Sequence, residues 1–183
     1  PDLGLDGNHG IRFIFPHARA IPVTINQGYV MPAWYDILEM SLERKIDTAQ
    51  IEQSAAWIGE LIAREAERGV SPEHIVIAGF SQGGAVAYQT ALTYDKPLAG
   101  LLTLSTYLAT KDSLTLSDAN KNLNIAIHHG TQDPVVPVQL GQEAKAWLES
   151  KGYQPQFYSY PMAHQVCMPQ LKIIGKWLND VLA

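Results

Sequence analysis

Apolar positions along this chain follow two kinds of spacing. Short apolar runs at residues 11–15, 75–78, 98–104 and 125–128 read as strands, and residues 156–160 as one more. Elsewhere apolar residues recur at helical spacing, at Ile51, Ala55, Ile58 and Ile62 and again at Ala85, Tyr88, Ala91 and Leu92. The punctuation agrees. Pro16 stops the first strand, Asp47 and Gln50 form a capping pair ahead of the first helix, and Gly69 ends it. Ser71-Pro72 turns the chain into the second strand. Pro137 opens a helix to about Ser150 with Gly152 at its stop, and a last amphipathic helix runs from Pro169 or Leu171 to Leu182. Two stretches carry no period. Residues 16–46 read as a long irregular segment broken by Pro16, Pro22 and Pro32, and residues 107–122 as polar loop with room for a short helix. A loop as long as 16–46 in a compact domain is usually functional.

Strands alternating with helices need crossover connections, so the expected fold is α/β, a mostly parallel sheet with helices on both faces, in one domain spanning residues 1–183. Ligands in such sheets bind beyond the carboxyl ends of the strands.

Composition narrows the function classes. The chain has 183 residues, 46% hydrophobic and 17% charged, which suits a globular protein. A net charge of −5 without a basic run argues against a nucleic-acid surface. No apolar run approaches the roughly 18 residues of a membrane span, so no stable membrane insertion is expected. The single cysteine, Cys167, excludes an internal disulfide and fits a reducing, cytoplasmic setting.

The chemistry concentrates around residues 79–83, Gly-Phe-Ser-Gln-Gly, a G-x-S-x-G pattern between a predicted strand and a predicted helix. In that setting Ser81 occupies a sharp elbow. The turn strains its backbone, bulky residues at Gly79 and Gly83 are expected to clash, and the helix N-terminus favours developing negative charge. The Gln82 N–H is placed to help hold an oxyanion. A serine at its free pKa is a poor nucleophile and needs a base oriented by a third group. Asp133, in a strand-to-helix loop, and His164, in the loop before the last helix, sit at the same sheet edge. Ser81, Asp133, His164 is the nucleophile–acid–His chain order of the α/β-hydrolase arrangement.

Other groups rank lower. His128 and His129 end a strand, with one suited to the core and the other to supporting the site. His9, His17 and His74 have no obvious partner. Cys167 lacks an elbow, so an inert thiol is expected. Trp34 either lines a pocket or pins the loop, and Ser105, Thr106 and Tyr107 either line a pocket or serve structure. No two histidines show helix spacing with a nearby carboxylate, so no metal site is expected.

These motifs resemble the bacterial carboxylesterases of the acyl-protein thioesterase/lysophospholipase group, within the α/β-hydrolases. The matching residues are Phe15-Pro16-His17-Ala18, Pro22-Val23-Thr24-Ile25-Asn26 with Gly28-Tyr29, Ala33-Trp34-Tyr35-Asp36-Ile37, residues 79–85, Leu104-Ser105-Thr106-Tyr107, His129-Gly130 through Pro137, and Tyr160-Pro161-Met162-Ala163-His164. The resemblance implies a serine carboxylesterase acting on short- to medium-chain esters, with Ser81, Asp133 and His164 as the triad and the Gln82 N–H as an oxyanion donor. It implies no cofactor, an ester or lipid-like small-molecule substrate, and a homodimer through an apolar rim. Leu108 and Met162, with Trp34 and Tyr107, are the candidates to hold the acyl group. The alternatives are an acyl-protein thioesterase or lysophospholipase, and a catalytically silent hydrolase-fold binding protein. One departure stands out. The family carries a further strand between those matching 11–15 and 75–79, followed by a His-Gly-Leu-Gly-like loop that supplies the second oxyanion N–H. Neither is in this sequence, so an N-terminally incomplete chain is expected, with apolar surface exposed at the gap.

Overall fold

The computed structural model describes residues 2–5, 10–39 and 45–183. In chain order these form β1 (Ala20–Val23), β2 (Tyr29–Pro32), α1 (Thr48–Glu67), β3 (Val76–Phe80), α2 (Gln82–Thr93), β4 (Gly100–Leu104), β5 (Asn124–Gly130), α3 (Val138–Ser150), β6 (Gln156–Tyr160) and α4 (Met168–Leu182). The strands β3, β4, β5 and β6 lie side by side in that order, and every pairing is parallel. The runs at 75–78, 98–104, 125–128 and 156–160 each supply one of these strands.

Strand periodicity sorts the core. Ile77, Leu101, Ile125 and Ile127 pack with Tyr88, Ala91 and Leu92 of α2 and with Ala144 and Leu148 of α3. Their chain neighbours Leu102 and Ala126 pack instead with Ile174, Trp177 and Leu178 of α4. The sheet is therefore covered on both faces, and α1 packs on α2.

The cap of α1 organises the segment ahead of it. The Asp47 carboxylate accepts from the Gln50 N–H at 3.0 Å. The Gln50 side chain does not return to Asp47 but accepts from the Asp36 N–H at 2.7 Å. The Asp36 carboxylate in turn accepts from the Thr24 N–H at 2.8 Å and its hydroxyl at 2.6 Å.

Two expectations fail in this region. Residues 16–46 are not irregular throughout: β1 and β2 make an antiparallel hairpin pairing Ala20 with Pro32 and Val23 with Tyr29. Its tip turns on the left-handed Gln27 and Gly28, at φ 58° and 75°. Residues 11–15, by contrast, form no strand. A strand exists only when a neighbour completes its backbone hydrogen bonds. Between residues 10–16 and the edge of β3 lies an apolar cavity of about 940 Å³, lined by Ile11, Phe13, Ile62, Val76, Ala78 and Leu104 among others. Among the described residues, β3 is paired on its β4 side alone. Phe13, Ile14 and Phe15 are correspondingly exposed.

Candidate active site

The turn from β3 into α2 is a strained elbow. Ser81 sits at φ 53°, ψ −121°, a region few non-glycine residues adopt. Its N–H donates to the Leu104 carbonyl at 2.9 Å, tying the elbow to the end of β4. A Cβ at Gly79 would overlap the Gly83 carbonyl, so residue 79 has to be glycine. Gly83 corrects an expectation. A Cβ there would meet only the Trp34 indole nitrogen, at 3.8 Å, because the crowding comes from the Gly83 carbonyl and not from the side-chain direction. The second tight glycine is Gly84, whose Cβ would come within 2.7 Å of the Thr106 Cβ. The Gln82 N–H belongs to the first turn of α2, where backbone N–H groups have no intrahelical acceptor.

Two loops bring the other groups to Ser81. Gly130 ends β5, and a Cβ there would overlap the Met162 carbonyl, so the loops after β5 and β6 touch. The Thr131 N–H donates to Tyr160 at 2.8 Å and the Gln132 N–H to Met162 at 3.1 Å. Asp133 is thereby set beside His164. Its Oδ1 accepts from the N–H groups of Val135 and Val136, both at 2.8 Å. Its Oδ2 accepts from His164 Nδ1 at 2.7 Å. His164 Nε2 lies 3.0 Å from Ser81 Oγ. An ionised carboxylate only accepts, so Nδ1 carries the proton and Nε2 faces the serine hydroxyl as an acceptor. The Asp133 side chain is fully buried and that of His164 is 17% exposed, which leaves the relay open at the serine end. The Phe80 ring packs on the imidazole at 4.7 Å between centroids.

The Phospholipase/Carboxylesterase family matches residues 7–182. The chain belongs to that family. It is a hydrolase of the α/β-hydrolase superfamily. An acyl-protein thioesterase 1 from Neurospora crassa is 38% identical over 182 residues, covering 94% of this chain and 74% of the relative. The crystal structure of Arabidopsis thaliana SOBER1 superposes with a TM-score of 0.91 at 28% identity, covering all of this chain and 89% of that one. The Zea mays acyl-protein thioesterase 2 structure gives 0.78 at 26% identity, covering 92% and 80%. These relatives are fungal and plant proteins and do not show a bacterial origin.

The remaining predicted residues of this hydrolase fall into two groups. Trp34 comes to the elbow. Its N–H donates to Gln82 Oε1 at 3.2 Å, and Gln82 Nε2 donates to the Tyr35 carbonyl at 3.0 Å. The Gln82 side chain thus clamps the 34–35 segment to the nucleophile turn, which no motif signalled. Tyr107, Leu108 and Met162 are buried at 7%, 7% and 5% exposure. The Tyr107 hydroxyl meets that of Tyr35 at 2.8 Å, and Leu108 joins the main core. None of the three lines the cavity beside β3.

Both strand-end histidines are buried. The His128 ring packs near those of Tyr158 and Tyr160, at 4.8 and 5.8 Å between centroids, with Nδ1 2.9 Å from the Tyr160 hydroxyl, and burial pushes its pKa down to about 4. His129 Nε2 donates to the Val136 carbonyl at 2.8 Å, bracing the Asp133 loop, and burial lowers its pKa too, against the opposing pull of that bond. Cys167 is the N-cap of α4 and exchanges hydrogen bonds with Gln170. Among the described residues no group of three His, Cys, Asp or Glu side chains could hold a metal, and no helix is long and apolar enough to cross a membrane.

Proposed function

We propose that this protein hydrolyses acyl thioesters and esters through a covalent Ser81 intermediate, with S-acylated protein or peptide as the substrate class to test first. The observation that carries the reading is the continuous relay Ser81 Oγ, His164, Asp133, at 3.0 and 2.7 Å. His164 Nε2 takes the hydroxyl proton as Oγ bonds to the acyl carbon. Asp133 keeps the imidazole in the required tautomer and stabilises its cation. The tetrahedral oxyanion lies on the Gln82 N–H at the positive end of α2. Collapse expels the thiolate or alkoxide, which His164 protonates. Water, deprotonated by the same nitrogen, then releases the acid and restores Ser81.

The second oxyanion donor follows from the resemblance, on a loop after a strand lying against β3. The edge of β3, unpaired among the described residues, and the apolar cavity of about 940 Å³ beside it support a strand at that place.

The resemblance in the sequence puts oxygen esters first. The similarity to acyl-protein thioesterases favours the thioester, and membership of the Phospholipase/Carboxylesterase family also supports a carboxylesterase. The test compares kcat/KM for a thioester and an oxygen ester with the same acyl group, with Ser81→Ala as control. The expected result is a preference for the thioester and loss of both activities in the variant. An ester preference above tenfold would return the assignment to carboxylesterase, and turnover retained in Ser81→Ala would overturn the serine mechanism.

A further inference from the structure

We infer that Thr106 is a positioning residue for the oxyanion site: its hydroxyl, bonded to the Ser81 carbonyl, sets the direction of the Gln82 N–H. This rests on the serine mechanism proposed above.

The Ser81 carbonyl and the Gln82 N–H are the two ends of one planar, trans peptide unit. Whatever holds the carbonyl therefore aims the N–H in the opposite direction. That unit follows a residue at φ 53°, ψ −121°, a conformation that persists only when its surroundings impose it. Three donors reach the carbonyl oxygen: the Gly84 N–H at 2.9 Å, the Ala85 N–H at 3.3 Å and the Thr106 hydroxyl at 2.7 Å. Gly84 and Ala85 belong to α2 and move with the elbow. Thr106 lies 25 residues away, in the loop after β4, and fastens the peptide from outside.

The neighbourhood is built for this contact. Thr106 is 1% exposed and packs over Gly84, where any side chain would collide with it. Ser105 takes a left-handed turn at φ 47° to present it, and the Ser105 N–H is fixed on the His128 carbonyl at 2.8 Å. A hydrogen bond given to a carbonyl also polarises its amide, so the Gln82 N–H becomes the stronger donor.

The experiment compares Thr106→Ala with Thr106→Ser in the full-length protein. Serine keeps the hydroxyl and loses only the methyl group. Valine is unsuitable, since its methyl would replace an atom 2.7 Å from the carbonyl oxygen. In Thr106→Ala, kcat should fall roughly tenfold, less than the 10²–10³ for outright loss of an oxyanion donor. KM and the pH profile should hold, because substrate contacts and the His164–Asp133 pair are untouched. The inhibition constant of a trifluoromethyl ketone, which mimics the tetrahedral oxyanion, should rise by the same factor as kcat falls. Thr106→Ser should recover most of the loss. Unchanged kcat in Thr106→Ala, or equal losses in the two variants, would overturn the inference and leave the serine mechanism standing. Turnover in Ser81→Ala would instead remove the mechanism beneath it. Should Thr106→Ala fail to fold, Thr106→Ser against Thr106→Cys makes the same comparison, the thiol being a weak donor of similar size.

Discussion

Replacing Asp133 by asparagine tests the relay at its least obvious point. Asparagine has nearly the same shape, but its two terminal atoms are not equivalent. The Oδ1 position receives two backbone N–H groups, from Val135 and Val136, each at 2.8 Å. Only an oxygen can occupy it, so the asparagine NH₂ must take the Oδ2 position, 2.7 Å from His164 Nδ1. Two donors cannot face each other there. His164 therefore turns its Nδ1 lone pair to the amide and carries its proton on Nε2, against Ser81. That tautomer cannot accept the serine proton. The same exchange in a Ser-His-Asp triad lowers kcat about 10⁴-fold, or about 5 kcal/mol of transition-state stabilisation. The fold should survive, because both N–H acceptor bonds to residue 133 remain. The assay is kcat at saturating acyl substrate, with thermal midpoint as the control for folding. A folded Asp133→Asn protein with kcat within tenfold of wild type would refute the argument.

Glycine substitutions separate tight positions from open ones. Gly79→Ala should destabilise the protein by about 2 kcal/mol or more in urea titration, because its Cβ overlaps the Gly83 carbonyl, whereas Gly83→Ala should lie within about 0.5 kcal/mol of wild type. Gly130→Ala should push the loops carrying Asp133 and His164 apart, lowering kcat in whatever fraction stays folded; a full rate would mean the loops are not coupled at Met162. Stability should also depend on acid. His128 titrates near 4 when folded and near 6.5 when unfolded, so the unfolded chain binds the extra proton between those values. Stability is therefore full above about pH 7 and lost as pH falls towards 4, by about 3 kcal/mol from His128, with His129 acting in the same direction. Urea midpoints at pH 7 and pH 5 would check this: His128→Phe should flatten the slope, and an equal midpoint at both values in wild type would contradict the burial argument.

The site was more legible than the region around it. Ser81, Asp133 and His164 each follow an apolar run that ends at the same sheet edge, and the glycine at 79 announces the elbow. Residues 11–15 carry the same apolar signal, but a strand is a property of two segments, and among the described residues none pairs with this one. The hairpin of β1 and β2 is masked in the sequence because Pro22 and Pro32 argue against strands; the local cue is Asn26-Gln27-Gly28 at its tip, where Gln27 and Gly28 turn left-handed. Thr106 and the side chain of Gln82 act across 25 and 48 residues of chain, through contacts no local pattern encodes. Gly84 is small because of Thr106, a reason that exists only once the two are folded together.

The most direct test of the account is the mass of the intact protein after exposure to a fluorophosphonate probe, followed by mapping of the modified peptide. The account predicts one adduct, on Ser81, absent from Ser81→Ala and strongly slowed in Asp133→Asn. A folded protein that takes no adduct, or takes it at Cys167 or any other residue, would contradict the claim that this elbow holds an activated nucleophile.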